Sequence, residues 1–144
     1  MIISNEFLWL SFALIDLSIL LLMYHFFGKV GIYMGIVISI IVCNIEVLKT
    51  VNLFGLTTTL GNVLYASIFL ATDILSEMYG KEDARRGVIL GFLALVLSTL
   101  YLQVALLFVP DASDFAQPHL EALFGFLPRV ALASVTAYFV SQMY

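Results

Sequence analysis

The sequence predicts an all-α fold, a polytopic membrane helix bundle, on three observations. Apolar residues make up 62% of the chain and charged residues only 11%. Mean hydropathy is +1.09. The apolar residues fall in runs close to the ~20 residues that cross a bilayer. A soluble domain is roughly half apolar and a quarter charged. A chain of 144 residues cannot hide such an excess in one core, because a domain of that size still exposes much of its surface.

Five runs read as spans: residues 7–27, 30–48, 60–78, 88–109 and 129–144. The first follows Glu6 rather than a basic stretch and is too long for a signal-peptide core, so it reads as a true span. "FGLTTTLGN" leads into the third, where Gly61 and the threonines suit a bent or unwound start. Pro110 closes the fourth. The fifth reaches Tyr144 without a stop signal and is short for a span, so 1–144 reads as a single transmembrane domain cut within its last helix. Between Pro110 and Pro128, "PDASDFAQPHLE" runs into "ALFGFL", which fits a short interfacial helix or a loop.

Lysine and arginine in short loops set orientation. "GKEDARR" holds Lys81, Arg85 and Arg86, which places loop 80–86 in the cytoplasm together with Lys29. The N-terminus, Lys49, the 110–128 segment and Arg129 then lie outside. Gly31/Gly35 and Gly87/Gly91 are i, i+4 pairs that let helices approach closely in lipid, within one chain or in a homo-oligomer.

Several function classes are excluded. The net charge of -4 argues against nucleic acid as a partner, which needs a basic face. One cysteine, Cys43, makes neither an intrachain disulfide nor a zinc site, and reads as a small buried apolar residue. The two histidines, His25 and His119, sit at span ends and leave no metal site. No phosphate-binding loop, HExxH or GxSxG motif is present, so no enzyme, metal or cofactor is expected.

Polar side chains inside spans are costly and mark cavities or partners. They are few here: Asp16, Asn44, Glu46, Lys49, Asn62, Asp73, Glu77, Gln103 and Gln142. In the third span Asn62, Ala66, Phe69, Asp73 and Glu77 share one helical face. This stripe is expected to point into the bundle, with the opposite apolar face toward lipid or neighbouring helices. It suits a flat polar heterocycle: Phe69 stacks on the ring, and carboxylates and amides take N–H donors along its edge. A carboxylate beside a like neighbour also has reason to take up a proton, which makes Asp73 and Glu77 candidates for proton coupling. Simpler readings stand beside these. Glu77 and Lys81 are spaced for an i, i+4 ion pair, and Glu46 and Lys49 for an i, i+3 pair.

These residues carry a family resemblance. "NIEVLKTVNLFGLTTTLGNVLYASIFLATDILSEMYGKEDARRGV" and "LPRVALASVTAYFVSQ" resemble the signature regions of queuosine precursor transporters, inner-membrane proteins of the vitamin-uptake type. The resemblance spans Asn44 to Gln142. It implies uptake of 7-cyano-7-deazaguanine, or the 7-aminomethyl form, for tRNA modification. It also implies a bundle of about six helices, like the substrate-binding subunits of energy-coupling-factor transporters. The motif residues matched here are Asn44, Lys49, Gly61, Asn62, Asp73, Glu77, Gly80, Arg129, Ser134 and Gln142. The family continues past the "SQ" element with an acidic residue and at least one more span. The expected substrate contacts are Asn62, Phe69, Asp73 and Glu77, with Asn44, Lys49, Arg129 and Gln142 completing the pocket. Two other readings compete: a binding subunit that needs an energising partner, and a non-transporting membrane scaffold.

Overall fold

The computed structural model describes residues 4–141, with the side chains of residues 139 and 141 excepted. The elements in chain order are α1 (Asn5–Glu46), β1 (Thr50–Leu53), β2 (Leu56–Thr59), α2 (Asn62–Tyr79), α3 (Lys81–Leu106), α4 (Gln117–Phe124) and α5 (Leu127–Ser141). Three helical stretches are long and apolar enough to cross a membrane: Asn5–Glu46, Lys81–Leu106 and Gln117–Tyr138. The chain divides into two compact units, Met1–Phe92 and Leu93–Tyr144.

α1 is not straight. Gly28 has φ 56 and ψ -136, a conformation outside the helical region that an L side chain rarely adopts. The chain reverses there. A Cβ on Gly35 would sit 2.7 Å from Leu20 Cδ1, although fifteen residues of straight helix would separate the two by about 22 Å. A Cβ on Gly31 would overlap the Met23 carbonyl. The arms 5–27 and 29–46 therefore form a tight hairpin, at the boundary expected between the first two spans.

α2 lies against this hairpin. Val63, Leu64, Ser67, Ala71 and Leu75 are its buried residues, meeting a core that includes Ile32, Ile36, Ser39, Ile40 and Cys43 of α1. Small side chains allow the close approach: the Ser39 and Ser67 hydroxyls are 3.5 Å apart. A Cβ on Gly61 would lie 2.7 Å from the Cys43 carbonyl oxygen. The first turns of α3 join the same core. Gly87 faces Ile36, Leu75 and Tyr33, and Gly91 faces Ile40 and Ile36. Both glycine pairs thus serve packing within the chain.

The connection between α1 and α2 differs from expectation. Residues 50–59 form an antiparallel β-hairpin, not an unwound helix start. Leu53 pairs with Leu56 across a two-residue turn, with Phe54 at φ 53 and Gly55 at φ 78. Positive φ at both central residues is the turn geometry that matches strand twist. Asn5 Nδ2 donates to the Asn52 carbonyl (3.1 Å), and Glu6 Oε1 accepts from the Phe54 amide (3.1 Å). The start of α1 and the β-hairpin therefore share one end of the unit.

The opposite end is tied by Asp83. It accepts from Lys29 Nζ (3.2 Å) and Tyr33 OH (2.7 Å), with Arg86 Nη1 at 3.7 Å. Lys29 also lies over the Tyr79 ring, 5.4 Å from its centroid. The Lys29 turn and residues 80–86 are thus at one end, as expected, although 80–86 is not a loop: only Gly80 breaks the helix, and Lys81–Arg86 form the first turns of α3.

In the second unit the expected short helix of the 110–128 segment is α4. Asp114 Oδ1 accepts from the Ala116 amide (2.7 Å) just ahead of it, and Gln117 bonds Glu121 (2.8 Å) along it. Gln103, read as a costly polar residue in a span, donates to the Phe124 carbonyl (2.7 Å). Asp111 accepts from the Ser113 hydroxyl (2.6 Å) and amide (3.0 Å). Those bonds hold its carboxyl below the usual carboxylate range.

Candidate functional site

The expected polar stripe is present as one face of α2, and it is not the face packed on α1. Asn62, Ala66, Phe69, Asp73 and Glu77 are exposed among the described residues, and Phe69 is 67% exposed. The opposite face is the one packed on α1. The cause is size. Ser67 and Ala71 let α1 approach closely on that face.

Neither expected local ion pair forms among the described residues. Gly80, at φ 98, ends α2 and starts a new helix direction, so Lys81 is not one turn above Glu77. Lys49 lies beyond the last helical residue of α1, so it does not stack on Glu46.

Glu46 and Lys49 instead line a cavity of about 380 Å³ at the β-hairpin end of the first unit. The first arm of α1 contributes Asn5, Leu8, Trp9 and Phe12. Val51, Leu53 and Leu60 close the wall from the β-hairpin side. The positions 5, 8, 9 and 12 form one helical face. Trp9 is held from two sides. Its indole N–H donates to Asn62 Oδ1 (3.3 Å), and its ring meets Phe54 edge-on, with centroids 6.5 Å apart. Glu46 Oε2 is buried with no hydrogen-bond partner among the described residues. Behind it Asp16, on the facing arm and beside Ser67 of α2, has its Oδ2 in the same condition. The two carboxyls are near enough to interact electrostatically.

Asn44 is 3% exposed and donates from Nδ2 to the Ile40 carbonyl (2.7 Å), inside the helix packing. Arg129 is exposed in the first turn of α5, within the second unit. Gln142 lies outside the described residues. Of the expected set, Lys49 lines the cavity and Asn62 adjoins it through Trp9. Asn5, Trp9 and Phe12 were not singled out from the sequence. Their signal was the i, i+4, i+7 spacing of an amide and two aromatics at the start of a span.

A family profile described as "Putative vitamin uptake transporter" matches residues 59–144. The chain belongs to that family. It is therefore a multi-pass membrane protein of a transporter family, not of an enzyme family. It is also 51% identical over 138 residues to "Probable queuosine precursor transporter" of Bacillus subtilis, covering 96% of this chain and 60% of that protein. A protein of the same description from Haemophilus influenzae is 34% identical over 108 residues, covering 72% of this chain and 43% of its own length. The chain thus spans about half the length of the curated relatives it matches. No solved structure matches it significantly.

Proposed function

We propose that this chain belongs to an inner-membrane importer of 7-deazaguanine precursors of queuosine, 7-cyano-7-deazaguanine and its 7-aminomethyl form. The observation that carries the reading is the 51% identity, across nearly the whole chain, to a protein described as a queuosine precursor transporter. The Glu46 cavity supports it. A site with an aromatic wall and a carboxylate residue in its lining fits a flat ring with N–H donors. In this reading the helices form a bundle of about six spans, of the energy-coupling-factor binding-subunit type, with about five in this chain. The 80–86 segment lies in the cytoplasm and the β-hairpin end outside. Asn62, Phe69, Asp73 and Glu77 contact the substrate in transit along α2, and Asn44, Lys49, Arg129 and Gln142 complete its surroundings.

The test uses cells unable to synthesise the precursor, supplied with nanomolar 7-cyano-7-deazaguanine. Queuosine in tRNA rises when the protein is expressed. Asp73→Asn lowers the initial uptake rate about tenfold, the scale of one charged hydrogen bond. No rise with the unaltered protein ends the substrate assignment, and undiminished uptake by the variant removes Asp73 from the substrate's path.

A further inference from the structure

We infer that the cavity at the β-hairpin end of the first unit is a recognition site for the amino-lactam edge of a planar heterocycle, with Glu46 as the acceptor and Trp9 and Phe12 against the ring. The assignment takes its probe from the transport reading above and goes beyond it by placing the ring and naming the group that reads it.

Three observations converge on this site. The first is size. A cavity of about 380 Å³ falls at the small end of the range typical of small-molecule sites, roughly 300–1,000 Å³. It has room for a bicyclic heterocycle. The second is Glu46. It lines the cavity, and its Oε2 is sealed from water with no hydrogen-bond partner among the described residues, a costly state that a turn of the side chain toward a ligand's donors would relieve. An ionised carboxylate accepts only, through two oxygens side by side. Its complement is a pair of parallel N–H donors, which a ring amide N–H and the adjacent exocyclic amine present. Lys49 on the same wall offsets part of the negative charge that Glu46 shares with Asp16. The third is Trp9. The Asn62 bond at 3.3 Å and the Phe54 edge contact fix the indole plane before any ligand enters. A pre-positioned aromatic loses little entropy on binding. Asn62 thereby acts on the ligand through Trp9 in addition to any contact of its own.

Trp9 is the single tryptophan of the chain, so its emission reports on this cavity alone. The experiment titrates the purified chain in lipid nanodiscs with 7-cyano-7-deazaguanine, guanine, and 7-cyano-7-deazahypoxanthine, which lacks only the exocyclic amine. Trp9 emission and calorimetry are followed in parallel, with free tryptophan amide correcting for absorbance. The expected result is a saturable change in Trp9 emission with the calorimetric midpoint. Glu46→Gln, which keeps the shape of the side chain, weakens binding about tenfold or more, as loss of a charge-assisted pair does. Removing the ligand's amine costs the native protein more than it costs the variant, because the two deletions remove the same interaction.

Calorimetric binding with unchanged Trp9 emission overturns the site and leaves the transport reading intact. So does native affinity in Glu46→Gln. Binding of guanine with both signatures, but not of 7-cyano-7-deazaguanine, keeps the site and ends the queuosine assignment. Absence of binding by all three ligands overturns the site. The emission arm needs no variant, so a Glu46→Gln protein that fails to fold still leaves a decisive measurement.

Discussion

Asp83 shows how one side chain fixes the geometry of several. Its two oxygens gather Lys29, Tyr33 and Arg86 from two helices, pinning the first turn of α3 to the second arm of α1. Asp83→Asn is expected to lower the thermal midpoint of the purified protein. Tyr33→Phe, which removes one of the three partners, lowers it less. Equal midpoints for Asp83→Asn and the native protein would show the cluster to be mechanically idle. In the sequence Asp83 is one acid in a charged loop. Its partners Lys29 and Tyr33 are 54 and 50 residues away, so no local pattern announces them. The converse holds for Glu77 and Lys81, and for Glu46 and Lys49. Their spacing announces pairs that do not form, because a helix ends between the partners. Helical spacing constrains side chains only where the helix continues.

At the scale of elements, the β-hairpin shapes the candidate site. Its turn places Phe54 against Trp9 and its first strand walls the cavity. Gly55 sits at φ 78 with no atom within 4 Å of where a Cβ would be. A substitution there therefore reports backbone strain without steric overlap. Gly55→Val is expected to cost about 1–2 kcal/mol of unfolding free energy, and Gly55→Asn distinctly less, since asparagine tolerates that region. Equal losses in chemical denaturation would contradict the turn assignment. Gly61 differs, because its missing Cβ leaves room for the Cys43 carbonyl. Gly61→Ala forces α2 away from α1 and is expected to cost about 1–3 kcal/mol. An unchanged denaturation midpoint would argue against the close approach. The two arms of α1 and the bounds of α2 were legible in the sequence to within a few residues, since long apolar runs have few other solutions in lipid. α3 starts seven residues before the expected span, because its charged first turns carry no apolar signal, and α2 falls short of the length and apolarity of the three candidate spans. The β-hairpin was not. Its strands are four residues each, and a phenylalanine occupies a turn position where asparagine or glycine is usual. What holds Phe54 there is the carboxylate of Glu6 and the ring of Trp9, 48 and 45 positions earlier in the chain.

On the scale of the first unit, Met1–Phe92, the two ends are chemically distinct. Lys29, Asp83, Arg85 and Arg86 gather at one, and the N-terminus of α1, the β-hairpin and the cavity at the other. Single cysteines at Phe54 and Arg85, both exposed positions, are expected to react with an impermeant maleimide from opposite faces of the membrane. Cys43 is 1% exposed and serves as a silent background. Labelling of both from the same face would overturn the arrangement of this unit across the bilayer.

By itself the sequence determined that the chain lives in a membrane, where its helices run and which residues carry its polar chemistry. Those follow from composition and from the cost of leaving backbone or charge unsatisfied in lipid, which act locally along the chain. The tertiary structure decided which polar residues meet. It packed the small-residue face of α2 on α1 and left the polar stripe off that contact, because small side chains pack closer. It brought Asn5, Trp9, Phe12, Glu46 and Lys49 around one cavity because the chain reverses at Gly28. A reversal at one glycine sets neighbours dozens of residues apart, and no periodicity in the sequence encodes that pairing.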